Sequence, residues 1–219
     1  MHDQPSDLTN RPVAVGVTPG DPRAERVLRI ADRMGVTLTD GDPVAGHISI
    51  GSTILPDPDA TPPTLGSDAD WYIEAAFLRA LEPRHILFLC VANSARSQLG
   101  EGFARDLALR SGPDGGPMPV KISSAGSVPT SVRPQATEVL REIGIDISHH
   151  RSNGVDDVER PVDVVITLCA EEVCPVWLEQ SVRVHWGLPD PAGAGASGGE
   201  GLQVFGDSGA EMGRGVGGD

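Results

Sequence analysis

Short apolar runs in the second half of the chain constrain its fold more than any other feature. Residues 85–91 (HILFLCV) and 163–168 (DVVITL) are almost entirely apolar, and residues 120–126 and 182–186 are further strand-like runs. Uninterrupted apolar runs of this length are typical of strands that are buried on both faces of a parallel sheet. Helical patterns over 97–110 and 134–143 separate the strands. The alternation predicts an α/β three-layer sandwich with a four-stranded parallel sheet.

The chain divides into three parts. Residues 1–84 form an N-terminal extension of unknown role, which we expect to be partly disordered over its first 20 residues and otherwise small and helical. Its two helices are predicted to run from the Asp21-Pro22 cap to Gly35 and from Trp71 to Leu81, with a short strand at 47–55. Residues 85–205 form the α/β domain, and the glycine-rich residues 206–219 are predicted to be a disordered tail.

Composition excludes several classes of function. The formal net charge of -14 argues against general nucleic-acid binding, because a phosphate backbone repels such a surface. Apolar runs fall short of the roughly 20 residues that cross a bilayer, and the N-terminus does not resemble a signal peptide. We therefore expect a cytoplasmic monomer without a membrane segment. The three cysteines are an odd number, which argues against a structural disulfide framework.

The motif with the clearest chemistry is the segment CVANSARS, which follows the first buried strand and precedes a helix. A cysteine at the carboxyl end of such a strand lies at the sheet edge where open α/β folds bind ligands. Loop N–H groups and the helix N-terminus attract an anion, and an arginine can hold two of its oxygens. The predicted nucleophile is Cys90. The predicted oxyanion-binding residues are Val91, Ala92, Asn93, Ser94, Ala95, Arg96 and Ser97.

The segment FLCVANSARSQLGEGFA resembles the active-site segment of low-molecular-weight tyrosine phosphatases and of the arsenate reductases built on their fold. The resemblance extends from about His85 to Pro191 and does not include the N-terminal extension or the tail. In both branches a cysteine thiolate attacks a tetrahedral oxyanion and forms a covalent intermediate. The resemblance therefore implies that Cys90 and Arg96 are catalytic.

The segment LCAEEVCP distinguishes the two branches. Taken alone, Cys169 and Cys174 could be buried thiols or half of a metal site, although no further cysteine completes a four-ligand zinc set. The resemblance to thioredoxin-coupled reductases implies a different use. Cys169 would attack the Cys90–arsenic adduct and release arsenite, and Cys174 would then attack Cys169. An external dithiol such as thioredoxin would reduce the resulting disulfide.

Asp190, in the segment HWGLPDPA, resembles the family's general acid, which protonates the leaving oxygen. Tyrosine phosphatases of this fold commonly have an aromatic residue two positions later, where this chain has Ala192. The leading interpretation is an arsenate reductase acting in arsenic detoxification. The alternatives are a low-molecular-weight phosphatase acting on phosphate monoesters and a non-catalytic oxyanion or arsenic sensor.

The resemblance also bears on cofactors. We expect no tightly bound cofactor, only the external dithiol protein. Some members of the family bind potassium beside the active-site loop, and Asn93, Glu101 and Ser124 match positions that contribute to that site. Asn153 stands where those members have aspartate, which removes one charged ligand. Potassium is therefore a candidate and no more.

Overall fold

The computed structural model describes residues 8–21, 23–42, 47–55, 70–110, 116–170, 175–188 and 190–191. They form two compact units. The first contains the described residues up to Pro83 together with Gln180–Val184, and the second contains those from Arg84 to Glu179 and from His185 onward. Cys174 and the predicted glycine-rich tail lie outside the described residues.

The first unit contains a small mixed sheet of four strands: β1 (Val13–Val17), β2 (Leu38–Asp40), β3 (Ile48–Ile50) and β4 (Thr53–Ile54). The strand order is β2-β1-β3-β4. Strand β1 runs parallel to β2 and antiparallel to β3, and β3 and β4 form an antiparallel pair. Two helices, α1 (Ala24–Met34) and α2 (Asp70–Leu81), accompany the sheet.

The prediction of a small helical extension was therefore wrong in part. Both predicted helices and the strand near 47–55 are present, but the unit is α/β rather than helical. Strand β1 lies inside the first 20 residues, which were expected to be disordered; the Pro- and Gly-rich surroundings masked a five-residue apolar run. Position 16 in that strand is a glycine because another backbone segment approaches it closely: a Cβ there would lie 2.2 Å from the carbonyl oxygen of Asp42.

The second unit is built on the sheet that the sequence predicts. Its sheet consists of β5 (His85–Cys90), β6 (Lys121–Gly126), β7 (Val164–Cys169) and β8 (Val182–Leu188), in the order β6-β5-β7-β8. The first three residues of β8, up to Val184, are grouped with the first unit. The central strand β5 pairs in parallel with both β6 and β7. The predicted helices are α3 (Arg96–Arg110) and α4 (Pro134–Glu142). Strand and helix positions agree with the prediction to within two residues at each end.

The core of this unit fixes the strand that ends at the active-site loop. Leu87 and Leu89 of β5 are fully buried in an apolar cluster that also contains Val165 and Trp177. On β5, Phe88 packs against Trp186, with ring centroids 6.4 Å apart. Helix α3 approaches β5 closely, since a Cβ at Gly100 would lie 2.7 Å from the Phe88 ring. The sheet and α3 therefore hold both ends of the loop that joins them.

Within the described residues, no helix is both long enough and apolar enough to cross a membrane.

Candidate active site

The loop between β5 and α3 holds Cys90 beside a serine hydroxyl. The Cys90 side chain is buried, and its Sγ lies 2.9 Å from the Oγ of Ser97, in the first turn of α3. The Asn93 side-chain amide donates to the same Ser97 oxygen at 2.8 Å. Because that oxygen already accepts a hydrogen bond, its own proton is available to the sulfur. The hydroxyl is therefore positioned to stabilise negative charge on Cys90.

The loop backbone is oriented by hydrogen bonds from the segment that follows β6. The carbonyl oxygens of Val91, Ala92 and Ser94 accept N–H groups from residues 128, 130 and 133, at 2.9–3.1 Å. In a trans peptide the N–H of the next residue points away from the carbonyl. The N–H groups of residues 92, 93 and 95 consequently point away from that segment. Successive loop N–H groups that are turned to the same side can form an anion site.

Asn93 allows the loop to turn sharply and is braced on all sides. Its φ of 45° lies in the left-handed region, which asparagine tolerates better than most residues. The side chain is fully buried and donates to Ser124 Oγ at 2.8 Å as well as to Ser97. Its Oδ1 accepts the backbone N–H of Asn153 at 2.7 Å. Asn93 thus braces the loop from inside, between α3 and the segments that contain Ser124 and Asn153.

Arg96 and Asp190 come together across the site. Arg96, the first residue of α3, is buried, and its guanidinium donates to the Leu188 carbonyl at 3.2 Å. A second guanidinium nitrogen lies 3.9 Å from the Asp190 carboxylate, which is partly exposed. An oxyanion held by Arg96 would therefore be near a carboxyl group that can give a proton to a leaving oxygen.

Cys169 lies at the same edge of the sheet as Cys90. Strands β5 and β7 are parallel neighbours, with Leu89 paired to Thr167, so both strands end in cysteine at almost the same level. Both cysteines are buried and neither forms a disulfide. Continuing the register places Leu168 opposite Cys90, so Cys169 lies one position further along and points to the other face. A bond between the two sulfurs therefore requires local rearrangement of the chain after β7.

Gln98, which the sequence analysis did not identify, links the loop to His150. The Gln98 amide donates to the Asn93 carbonyl and to Asn93 Oδ1, both at 3.1 Å, and to the Arg151 carbonyl. Its Oε1 lies 2.9 Å from His150 Nδ1. Burial lowers the pKa of His150, an effect that nearby Glu101 partly opposes. Its position one residue after Ser97, in the first turn of the helix that follows the loop, is the signal that could have revealed Gln98.

The residues proposed for potassium are engaged with one another. Ser124 donates to Glu101 Oε2 at 2.6 Å, and the Arg105 guanidinium lies 2.6 Å from Glu101 Oε1. Asn93 Oδ1 is already an acceptor twice. The negative charge of Glu101 is thus matched by a permanent cation on the same helix, so these residues do not fit a resident potassium ion unless Arg105 moves away. Among the described residues, no three His, Cys, Asp or Glu side chains form a metal-binding group.

Fold and site together define a class: an α/β protein that presents a cysteine thiol within a loop built to bind a tetrahedral oxyanion. Residues 85–203, more than half of the chain, match the family of the low molecular weight phosphotyrosine protein phosphatase. The chain belongs to that family.

Its relatives are similar to about half of the chain or somewhat more. An arsenate reductase of Staphylococcus xylosus is 38% identical over 116 residues, which are 52% of this chain and 82% of the relative. An arsenate reductase of Staphylococcus aureus strain N315 is 37% identical over the same shares. A solved arsenate reductase in its phosphate-binding state is 30% identical with a TM-score of 0.50, covering 62% of this chain and 95% of the other. The resemblance to the reductase branch is confirmed.

Proposed function

We propose that this chain is an arsenate reductase that converts arsenate to arsenite in arsenic detoxification, using Cys90 as nucleophile and Cys169 and Cys174 as the internal reductant. The arsenate reductases to which the chain is similar support the reaction. The observation that carries the assignment is the second thiol at the site. Cys169 ends the strand next to the one that ends in Cys90, and hydrolysis of a phosphate ester has no use for it.

Arsenate enters the loop as an anion and meets N–H groups and the Arg96 guanidinium. The Cys90 thiolate, beside the Ser97 hydroxyl at 2.9 Å, attacks arsenic. One arsenic–oxygen bond breaks as the sulfur–arsenic bond forms, and Asp190 supplies a proton to the oxygen that leaves as water. The distance of 3.9 Å between Arg96 and Asp190 keeps the proton donor near the bound anion.

Two electrons then pass from sulfur to arsenic. The Cys169 thiolate attacks the sulfur of Cys90, the sulfur–arsenic bond breaks, and its electron pair stays on arsenic, which leaves as arsenite. The products are a Cys90–Cys169 disulfide and arsenic(III). The Cys174 thiolate next attacks the sulfur of Cys169, so that Cys90 leaves as a thiolate and a Cys169–Cys174 disulfide remains.

An external dithiol protein of the thioredoxin type restores the reduced enzyme. Such a partner is abundant in a reducing compartment, so we place the protein in the cytoplasm. We propose that it acts as a monomer and does not bind nucleic acid, in keeping with its net charge of -14. No cofactor is proposed beyond the dithiol protein.

The test is a comparison of two activities in the wild type and in Cys169→Ser. Arsenate-dependent oxidation of NADPH, with thioredoxin and its reductase, should be lost in the variant. Cys90-dependent hydrolysis of p-nitrophenyl phosphate should persist, because it needs only the loop. Cys90→Ser, which should lose both activities, is the control.

Other outcomes would favour other functions. Hydrolysis in the wild type without arsenate turnover would favour a phosphatase, which the name of the family also suggests. Arsenate binding at one equivalent without either activity would favour a sensor.

A further inference from the structure

Two exposed apolar side chains follow directly after Cys174. Leu178 is 89% exposed and Val176 is 69% exposed, which makes them the two most exposed large apolar residues of the described part of the chain. Single exposed apolar residues are common and need no explanation. Two of them on alternate positions of one short segment form a small apolar patch, and it lies beside a cysteine to which the proposed function gives a redox role.

The segment is held in place from beneath. Trp177, between the two exposed residues, is only 4% exposed and belongs to the apolar core that contains Leu87 and Val165. The Arg160 guanidinium carbon lies 4.7 Å from the centre of the Trp177 ring, and its Nε donates to Glu179 at 2.8 Å. Position 177 is therefore anchored inward, and the positions on either side point to solvent. A surface that is ordered before it binds loses little conformational entropy on binding.

The chain length limits the distance from this patch to Cys174. At no more than about 3.6 Å per residue, the Cα of Val176 lies within about 7 Å of that of Cys174 and the Cα of Leu178 within about 14 Å. Even a small transient interface covers about 600 Å² per partner, a disc of roughly 14 Å radius. An interface of this size that is centred on the sulfur of Cys174 would therefore extend to both positions.

We propose that the segment from Pro175 to Glu179 is the docking surface for the dithiol protein that reduces the enzyme, with Val176 and Leu178 as its apolar contacts. This proposal rests on the proposed function. The partner's thiolate attacks the sulfur of Cys174, and Cys169 leaves as a thiolate. The partner's second thiolate then attacks its own mixed-disulfide sulfur and releases Cys174. The partner is oxidised by two electrons and the enzyme is reduced by two.

The patch fits such a partner better than a charged one. Its two outward side chains are apolar, while the charged Arg160 and Glu179 that flank it are paired with each other. An apolar contact of this size gives weak, rapidly reversible binding, as an electron carrier needs. The competing occupant is a second copy of this chain, and the experiment separates the two.

The experiment measures arsenate turnover by the full chain with Val176→Ser and Leu178→Ser combined. The dithiol is either thioredoxin, with its reductase and NADPH, or dithiothreitol. The KM for thioredoxin should rise about 10- to 100-fold. The KM for arsenate and the rate with dithiothreitol should be unchanged, which also shows that the variant is folded. Leu109→Ser is the matched control, because Leu109 is 63% exposed on α3 and plays no part in the proposal.

An unchanged KM for thioredoxin in the double variant, with wild-type turnover intact, overturns the docking surface but leaves the proposed function in place. An equal rise in the Leu109→Ser control also overturns it. A wild-type dimer that the double substitution separates, with the KM for thioredoxin unaltered, assigns the patch to self-association instead. Failure of the wild type to reduce arsenate with either dithiol overturns the proposed function, and the docking surface with it.

Discussion

Gly126, the last residue of β6, presses directly on the active-site loop. A Cβ added there would lie 2.4 Å from the Val91 carbonyl oxygen and 2.7 Å from the Asn93 backbone nitrogen. Both contacts are with backbone, so no side chain can rotate out of the way. Ordinary contact begins near 3.4 Å, so the loop would have to move by about 1 Å. Gly126→Ala therefore tests whether the loop geometry is set by this contact.

The expected losses in activity and in stability are similar in free energy, but the loss in activity is the easier one to measure. A misplacement of about 1 Å in an active site costs on the order of 100-fold in rate, or about 2.7 kcal/mol in the barrier. Overpacking typically costs about 1–3 kcal/mol of folding free energy. We expect kcat/KM for arsenate, and for p-nitrophenyl phosphate, to fall about 100-fold in Gly126→Ala. The melting temperature should fall by only several degrees.

Gly154→Ala is the matched control. Gly154 forms a bridge with Gly126, but its Cβ would meet only side chains: Asp157 Oδ2 at 3.2 Å and Pro129 Cγ at an ordinary contact distance of 3.9 Å. Its φ of -78° suits alanine. This variant should keep activity within about threefold of the wild type. A Gly126→Ala protein with the same near-normal activity would refute the reasoning, because the loop would then tolerate the displacement.

Three further predictions concern the surroundings of the site. Because Arg105 already neutralises Glu101, wild-type turnover should not respond to replacing sodium by potassium, whereas Arg105→Gln should become potassium-stimulated. Burial lowers the pKa of His150 in the folded chain. Below the ordinary pKa of about 6.5 the unfolded chain therefore binds more protons than the folded one, and the free energy of unfolding decreases as the pH is lowered. His150→Gln, which can still donate to Gln98, should weaken that pH dependence in urea unfolding. Trp177→Ala should lower the free energy of unfolding by about 3–5 kcal/mol, measured in the same way.

Each of these has an outcome that contradicts it. Arg110→Gln is the control for Arg105→Gln, because it breaks an ion pair of the same spacing on the same helix. Potassium stimulation of Arg110→Gln or of the wild type would contradict the prediction that Arg105 keeps potassium from Glu101. Burial also lowers the pKa of His85, so some pH dependence remains in His150→Gln; an unaltered slope would exclude His150 as a contributor. A loss below about 1 kcal/mol in Trp177→Ala would mean that the ring does not anchor its segment.

The sequence could predict the parts of this protein that are local in the chain. The buried strands of the second unit and the eight residues from Cys90 to Ser97 are each contiguous, so their apolar pattern, turn residues and helix start can be read directly. The same procedure failed for β1, because a five-residue run carries little signal among prolines and glycines, and its pairing partners lie far along the chain. The assignment of Asp190 to the same site as Arg96 came from family resemblance, since no local pattern joins residues 94 positions apart.

Only the tertiary structure decided what surrounds the loop. The amides that turn its carbonyls outward come from residues 128–133, and the bonds that brace Asn93 come from Gln98, Ser124 and Asn153. The close approach of Gly126 to the Val91 carbonyl and the exposure of Leu178 were likewise visible only in the folded structure. These contacts depend on where separate segments meet in space, and hydrogen bonding and close packing act over a few ångströms whatever the distance along the chain. The sequence by itself therefore determined which residues form the loop and which of them we expect to carry the chemistry, and the folded chain determined what holds them in position.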